Sequence, residues 1–561
     1  MQRRDFIASL LTEDPKAKPV SAEQFQNQTL PTHLNLGVAN ISNYTGAWSD
    51  AQVKHLLRRT LFGFNRSDIA FFKSMSMSDA VDYILNVPSS APNPPVNGYN
   101  NANITDPDIP SGQTWVNGPD NNNLTAQRRL SLYSWSMQQV LGPDRHIREK
   151  MTVFMHNHFA TEVENVGSPI LAYRHHKLLR DNCVGNFKNL VKSVTSDLAM
   201  LIYLNGYVNS KTAPDENYAR ELMELFTLGK SADSQYTEDD VKTAAKVLTG
   251  FRINFSTLNG FFDSNAHDTT NKTFSSFFNN TTITGKTGQA GAGETDELIN
   301  MIFTKEDVVA RHVVRQLYRY FVYYVIDSNI ETNVIIPLAD IFKMNWEIKP
   351  VLSTLFKSAH FYDNNNVGCY IKNPLDVYAS FIKQCQIQMP VNPVEDVHTS
   401  HLLIWQLAAA SGMNLGNPPN VSGWPAYYQD PQYHELWLNS DSLPKRIQYV
   451  VALMIGVNYA TGKKIQADLI AFAKLCSDPS DPNVLIQETI DLFYAMDIST
   501  TQKTGLKQST LLFGQTNDIY WINAWNDHIA NPNDSAKKTT VNNGLLLMVK
   551  YLLDLAEHQL A

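Results

Sequence analysis

Two carboxylates, a guanidinium and an amide lie three and four residues apart at Asn217, Arg220, Glu221 and Glu224. A histidine-rich run, Glu149 to His158, and the pair His267-Asp268 are the other places where side chains could do chemistry. With an imidazole nearby, two carboxylates can run general acid–base hydrolysis, for example of a glycan. Glu221 and Glu224 are then the acid and base candidates. Arg220 would bind an anion or tune them, and His156 would shuttle a proton or ligate a metal. A carboxylate-rich divalent-cation site is a variant of the same chemistry. This reading requires His156, Glu221 and Glu224 within about 8 Å of one another and reached by a pocket. A plainer alternative is a solvated helix face carrying an Arg220–Glu224 pair at i,i+4.

The first set must be positioned by a helix. Pro214 suits a first turn, and Asp215 and Glu216 suit its positive end. With Asn217 at about 0° on a helical wheel, Glu221, Glu224 and Arg220 fall near ~40°, ~340° and ~300°. Tyr218, Ala219, Leu222, Met223, Leu225 and Phe226 fill the other side. Gly229 stops the helix as a C-cap, and Thr237 with Asp240 forms a capping box for the next one.

The second set lies on a helix from Arg145 to Ala160. His156 and His158 are two residues apart, about 200° on the wheel, so they point to opposite sides and do not make a two-histidine metal pair within a helix. His156 shares a face with Glu149 and Thr152. His158 lies over Met151 and Phe154 and reads as a core histidine. A long helix capped at Thr304 to Asp307 presents Arg311, His312, Arg315 and Arg319 as a basic face. That face is either solvated or paired with the carboxylates above. His267-Asp268 falls in 251–293, where helical periods give way to Phe, Thr, Asn and Gly, as in a loop or β-hairpin insertion. Asn417 to Pro425, with Trp424, reads as a rigid loop that forms a pocket wall or a structural corner. Residues 88–123 hold seven prolines and read as a long surface loop.

The 561 residues are 43% hydrophobic and 18% charged, which describes a large globular core. A net charge of −8, with Lys and Arg spread along the chain, excludes the basic stripe of a nucleic-acid binder. Cys183, Cys369, Cys385 and Cys476 lie too far apart for a zinc cluster or a dense disulfide framework. Residues 1–7 resemble a twin-arginine export signal. The apolar run after them stops at Thr12, so the signal is incomplete. No stretch reaches the roughly 18 apolar residues of a membrane span.

Six motifs in order carry a family resemblance. They are Ala51 to Phe64 with its His-Leu-Leu-Arg-Arg core, Arg148 to Phe159, Asn217 to Leu222, Tyr236 to Val241, His267-Asp268 with Lys272, and Asn417 to Pro425. Over roughly 50–450 the chain resembles the bacterial family catalogued as domain of unknown function 1800. It departs from the pattern at Met155, Asp215, Ala266, Thr270 and Ser275-Ser276, and the missing second histidine at Ala266 weakens a metal or catalytic role there. The resemblance implies an exported, periplasmic or cell-surface setting and a protein partner from a neighbouring sulfatase-like family. It implies no reaction.

These readings give a mainly α fold: one large multi-helix domain over 49–460, an N-terminal arm over 1–48, and C-terminal helices over 461–561 packed on the same body. The motif residues Glu149, His156, Asn157, Asn217, Arg220, Glu221, Glu224, His267, Asp268 and Trp424 are expected to converge in a buried polar network. The function expected is a non-catalytic surface, assembly or secretion-associated one, with a glycan or polymer hydrolase as the alternative.

Overall fold

Helix starts and stops follow the capping residues closely. The first helix among the described residues, α1 (Asp50–Thr60), begins after Ser49, whose N–H donates to Gln52 Oε1 at 3.3 Å. Its first turn carries Asp50 and its last turn carries Arg58 and Arg59, matching the ends of the helix dipole. The computed structural model describes residues 40–424 and 436–561. The export-like stretch at 1–7, the arm as far as 39, and Pro425 lie outside the described residues.

The architecture is mainly α. The helices used below are α2 (Thr125–Leu141), α3 (Arg148–His158), α4 (Pro169–Asp181), α5 (Asn217–Glu221), α6 (Glu238–Val247), α7 (Glu306–Phe321), α8 (Pro374–Gln384), α9 (Val394–Ala410) and α10 (Pro482–Phe493). Helix α9 packs along α2, α3 packs on α4, and α8 packs on both α9 and α10. An aromatic cluster of Trp115, Tyr133, Trp135 and Tyr173 fills the space around α2 and α4. Tyr133 stacks on Trp405 at 4.3 Å between ring centres. Burying rings of this size is worth a few kcal/mol each.

Among the described residues, the sheets are three antiparallel two-stranded hairpins. Strands β1 (Phe251–Asn254) and β2 (Asn259–Phe262) pair with Phe251 opposite Phe262, and β3 (Lys272–Thr273) pairs with β4 (Thr282–Ile283). Both fall inside the expected insertion at 251–293. The third hairpin, β5 (Val457–Ala460) with β6 (Lys463–Ile465), spans position 460. Helices Leu469–Ala473, Pro482–Phe493, Thr500–Ser509, Ile519–Ala530 and Ser535–Asp554 follow it.

The loop at 88–123 differs from its reading as a surface loop. It is irregular, but Asn97, Asp106 and Trp115 within it are buried. Asp106 Oδ2 accepts from Arg128 Nη2 at 2.9 Å and from the Tyr99 hydroxyl at 2.7 Å, so the loop is tied to α2. The Asn97 amide closes it internally onto the Ile109 carbonyl at 2.7 Å. Proline content marked an irregular path, whereas burial depends on a partner helix that local composition does not register.

Candidate functional site

The helix bearing the paired carboxylates is not α-helical throughout. Helix α5 ends at Glu221, and Leu222–Thr227 continues as a π-helix. A π-turn bonds i to i+5 and appears mostly as an inserted residue, frequently at functional sites. The wheel that assumes 3.6 residues per turn therefore fails beyond Glu221. Leu225 and Phe226 lie in the last turn of the π-helix, where carbonyls have no partner within the helix and take outside ones. His158 Nε2 donates to the Phe226 carbonyl at 3.0 Å, and His312 Nε2 donates to the Leu225 carbonyl at 2.7 Å. Helices α3 and α7 thus grip the same π-turn, through one imidazole each.

The polar stripe itself lies at the surface. Asn217 is exposed, and Arg220 is about one-third exposed. Arg220 pairs with Glu216 at 2.9 Å and with Glu238 of α6 at 2.7 Å, not with Glu224. Glu224 pairs with the exposed Lys230. Glu221 is half-buried; burial and the neighbouring Glu224 carboxylate push its carboxyl up to about 7. Burial also pushes the nearby Tyr236 phenol up to about 12. The basic face of α7 finds other partners: Arg315 forks onto Glu331 at 2.6 and 3.0 Å, and Arg311 lies 3.6 Å from Asp233.

His156 and His158 open onto different cavities, as their spacing on α3 requires. His156 lines a cavity of about 30 Å³ with Glu149, Thr152, Thr161, His175 and His176. That volume suits one or two waters. His156 Nε2 donates to the Thr161 carbonyl at 3.1 Å, and burial holds its pKa down at about 3. Glu149 is anchored by Arg180 of α4 at 2.6 and 2.9 Å, and burial raises its pKa. His175 bridges Asp197 and the Phe159 carbonyl, at 3.2 and 3.3 Å. Neither Glu221 nor Glu224 lines this cavity. His158 lines a second cavity of about 50 Å³ with Asn157, His312, Gln316 and Ser422.

Trp424 is fully buried beside His156, with ring centres 6.2 Å apart. Its backbone N–H donates to Asn157 Oδ1 at 2.6 Å. Gly423, at φ +76°, packs so closely that a Cβ there would sit 2.3 Å from Asn157 Oδ1. The Asn417 amide reaches the Tyr133 hydroxyl at 2.6 Å, and its oxygen accepts from the Glu164 N–H at 3.1 Å. This end of the loop is a corner clamped to α3 by Asn157.

His267 and Asp268 form a separate group inside the insertion. His267 Nδ1 donates to the Thr249 carbonyl at 2.9 Å. Its Nε2 lies 3.1 Å from Glu294 Oε1, without the alignment of a hydrogen bond. Glu294 Oε2 accepts from Lys272 Nζ at 2.6 Å, and Oε1 accepts from the Lys286 N–H at 2.6 Å. Lys272 also donates to the Asp268 carbonyl. His267, Lys272 and Glu294 are all fully buried. Close by, Asp240 caps α6 and accepts from Ser275 N–H and Oγ, both at 2.7 Å, which ties the insertion to α6.

The motif residues therefore occupy three places rather than one: the part-buried carboxylates, the two α3 cavities with the Trp424 corner, and the Glu294 network. Among the described residues, no group of three or more His, Cys, Asp or Glu is placed to hold a metal ion. His175, His176, Arg180 and Glu294 did not stand out in the sequence. The His175-His176 doublet in an otherwise amphipathic helix was the available signal for the first two. Glu294 opens a helix after a glycine-rich stretch and so reads as an ordinary N-terminal acid.

The fold and these clusters define a mainly α body with several buried polar networks. The chain belongs to the family described as Protein of unknown function (DUF1800), which it matches over residues 55–560. The match runs on to residue 560, well beyond the last of the six motifs, which ends at Pro425. No curated protein and no solved structure matches the chain.

Proposed function

We propose that this chain is a non-catalytic surface or assembly protein whose polar motifs lock its helices together. One observation carries this reading: the motif side chains of α3 are committed to groups that hold neighbouring elements. His156 binds the Thr161 carbonyl, Asn157 the Trp424 N–H, His158 the Phe226 carbonyl, and Glu149 the Arg180 guanidinium. Buried polar groups satisfied in this way specify one packing arrangement. The exported setting and the sulfatase-like partner rest on the family resemblance. Among the described residues, no helix is long and apolar enough to cross a membrane.

A specific observation favours a second reading. Glu221, with its carboxyl near 7 beside Glu224, has the properties of a general acid in glycan hydrolysis. One experiment separates the two: reducing-end release from a panel of polysaccharides, measured for the parent chain and for Glu221→Gln, alongside thermal melts. The assembly reading expects no Glu221-dependent turnover. It expects a melting temperature lowered by several degrees in Asn157→Ala and little changed in Glu221→Gln. Turnover abolished by Glu221→Gln with an unchanged melt would establish the hydrolase instead.

A further inference from the structure

Five Asn-Gly dipeptides occur in the chain, at Asn97, Asn117, Asn205, Asn259 and Asn543. Asparagine is chemically labile, most of all before glycine, which has no Cβ to shield its backbone nitrogen. That nitrogen attacks the asparagine Cγ once a base has taken its proton. The reaction needs a side-chain amide free to move and a glycine N–H that water reaches.

Four of the five are protected, each in its own way. Asn97 is buried; its Nδ2 donates to the Ile109 carbonyl, and its Oδ1 accepts from the Tyr99 and Asn100 N–H groups at 3.2 and 3.3 Å. The Gly118 N–H, after Asn117, donates to the Trp115 carbonyl at 3.1 Å. Gly206, after Asn205, is buried and packs so closely that a Cβ there would sit 2.7 Å from Leu201 Cδ2. Asn543 and Gly544 lie inside the helix Ser535–Asp554, where the intrahelical bond holds the glycine N–H, and Gly544 is buried.

Asn259 and Gly260 differ on both counts. They open β2, and both are exposed. The Asn259 side chain makes no hydrogen bond among the described residues. The ladder decides the direction of the Gly260 N–H. The Asp263 N–H donates to the Gly250 carbonyl at 2.8 Å, so these opposed residues are a bonded pair. Bonded and non-bonded pairs alternate along an antiparallel ladder. Arg252–Phe261 and Asn254–Asn259 are therefore bonded, and Ile253–Gly260 is not. The Gly260 N–H points away from β1, to the edge of the hairpin, where no described strand pairs with it.

We propose that Asn259 is a self-modification site, at which the chain ages by deamidation to aspartate and isoaspartate. The Gly260 nitrogen gives its proton to a base in solvent and bonds to Asn259 Cγ. The Cγ–Nδ2 bond breaks, and the amide nitrogen leaves as ammonia. Water then opens the succinimide at either carbonyl, which yields aspartate or isoaspartate. Both products add a negative charge to the hairpin. Isoaspartate also routes the main chain through Cβ, which lengthens it by a methylene at the last ladder pair before the turn. The hairpin so loosened carries the exposed rings of Phe255 and Phe261. The inference goes beyond the assembly reading and does not depend on it.

Peptide mapping by mass spectrometry tests it. The full native chain is held in mildly alkaline buffer and sampled over days, beside the same chain in urea. In the native chain Asn259 is expected to deamidate about tenfold faster than any of the other four, with isoaspartate the larger product. In urea the five are expected to react at similar rates, because their protection is structural. Gly260→Ala is expected to slow the reaction at Asn259 by about tenfold in both states, since its methyl shields the attacking nitrogen. The proposal is overturned if Asn259 stays intact in the native chain while it reacts in urea. It is equally overturned if another of the five outpaces it in the native chain, or if Gly260→Ala reacts as fast as the parent.

Discussion

At the scale of single residues, the Glu294 network is a sensitive point of the structure. Its carboxylate is fully buried and neutralises Lys272, which is equally buried. Removing one member of such a pair leaves an uncompensated charge and typically costs about 3–5 kcal/mol. Glu294→Gln is therefore expected to lower unfolding stability by that amount in urea titrations. Exchanging both partners, as in Glu294→Leu with Lys272→Met, is expected to recover most of the loss, because no buried charge is then left alone. Glu221 behaves in the opposite sense. Its folded pKa, near 7, lies above its ordinary value of 4.5, so folding favours the protonated carboxyl. That contribution is present at low pH and is lost as pH rises through 7. Glu221→Gln is thus expected to gain stability relative to the parent at about pH 8 and not at about pH 4. Solvent screening keeps the gain under about 1 kcal/mol, and urea titrations at the two pH values measure it.

At the scale of elements, the π-turn is the piece on which α3 and α7 converge. Gly229 closes it at φ +76°, and a Cβ there would sit 2.5 Å from His312 Nδ1. Gly229→Ala pays for a left-handed backbone, about 1–2 kcal/mol. It also displaces His312 from the Leu225 carbonyl, about 1 kcal/mol more. A loss on the order of 2–3 kcal/mol is expected in denaturant titrations. Gly505→Ala, in open space within the helix Thr500–Ser509, is expected to gain about 0.5–1 kcal/mol. These two glycines also show what the sequence could reveal. Gly229 was legible as a cap because the residue after a helix has few alternatives. The π-turn before it was not, because Leu-Met-Glu-Leu-Phe suits a 3.6-residue period equally well. The partners of its last carbonyls, His158 and His312, lie about 70 and 90 positions away in sequence. For the same reason the His156–His158 divergence could be read from spacing alone. The separation of His156 from Glu221 could not, because it depends on how α3 and α5 pack.

At the scale of the whole molecule, the buried histidines make stability depend on pH as a sum. Burial lowers His156, His158 and His176 to about 3 and His312 to about 4. Their unfolded value is 6.5. Between these limits the unfolded chain takes up protons that the native chain refuses. Unfolding free energy therefore falls as pH drops below 6.5, and the loss is complete only near the folded values. Each histidine contributes up to about 1.4 kcal/mol per pH unit once its unfolded form is fully protonated. The four lie in two places, the α3–α4 cavity and the π-turn, so acid loosens both joints at once. Urea unfolding of the parent chain and His158→Gln, followed from about pH 7 to pH 5, isolates one share. The variant is expected to be less stable at pH 7, because the bond to the Phe226 carbonyl is weakened. It is also expected to have a shallower slope below pH 6.5, by up to one proton. Parallel slopes would mean that His158 titrates alike in both states, and the π-turn would then be open to solvent in the native protein.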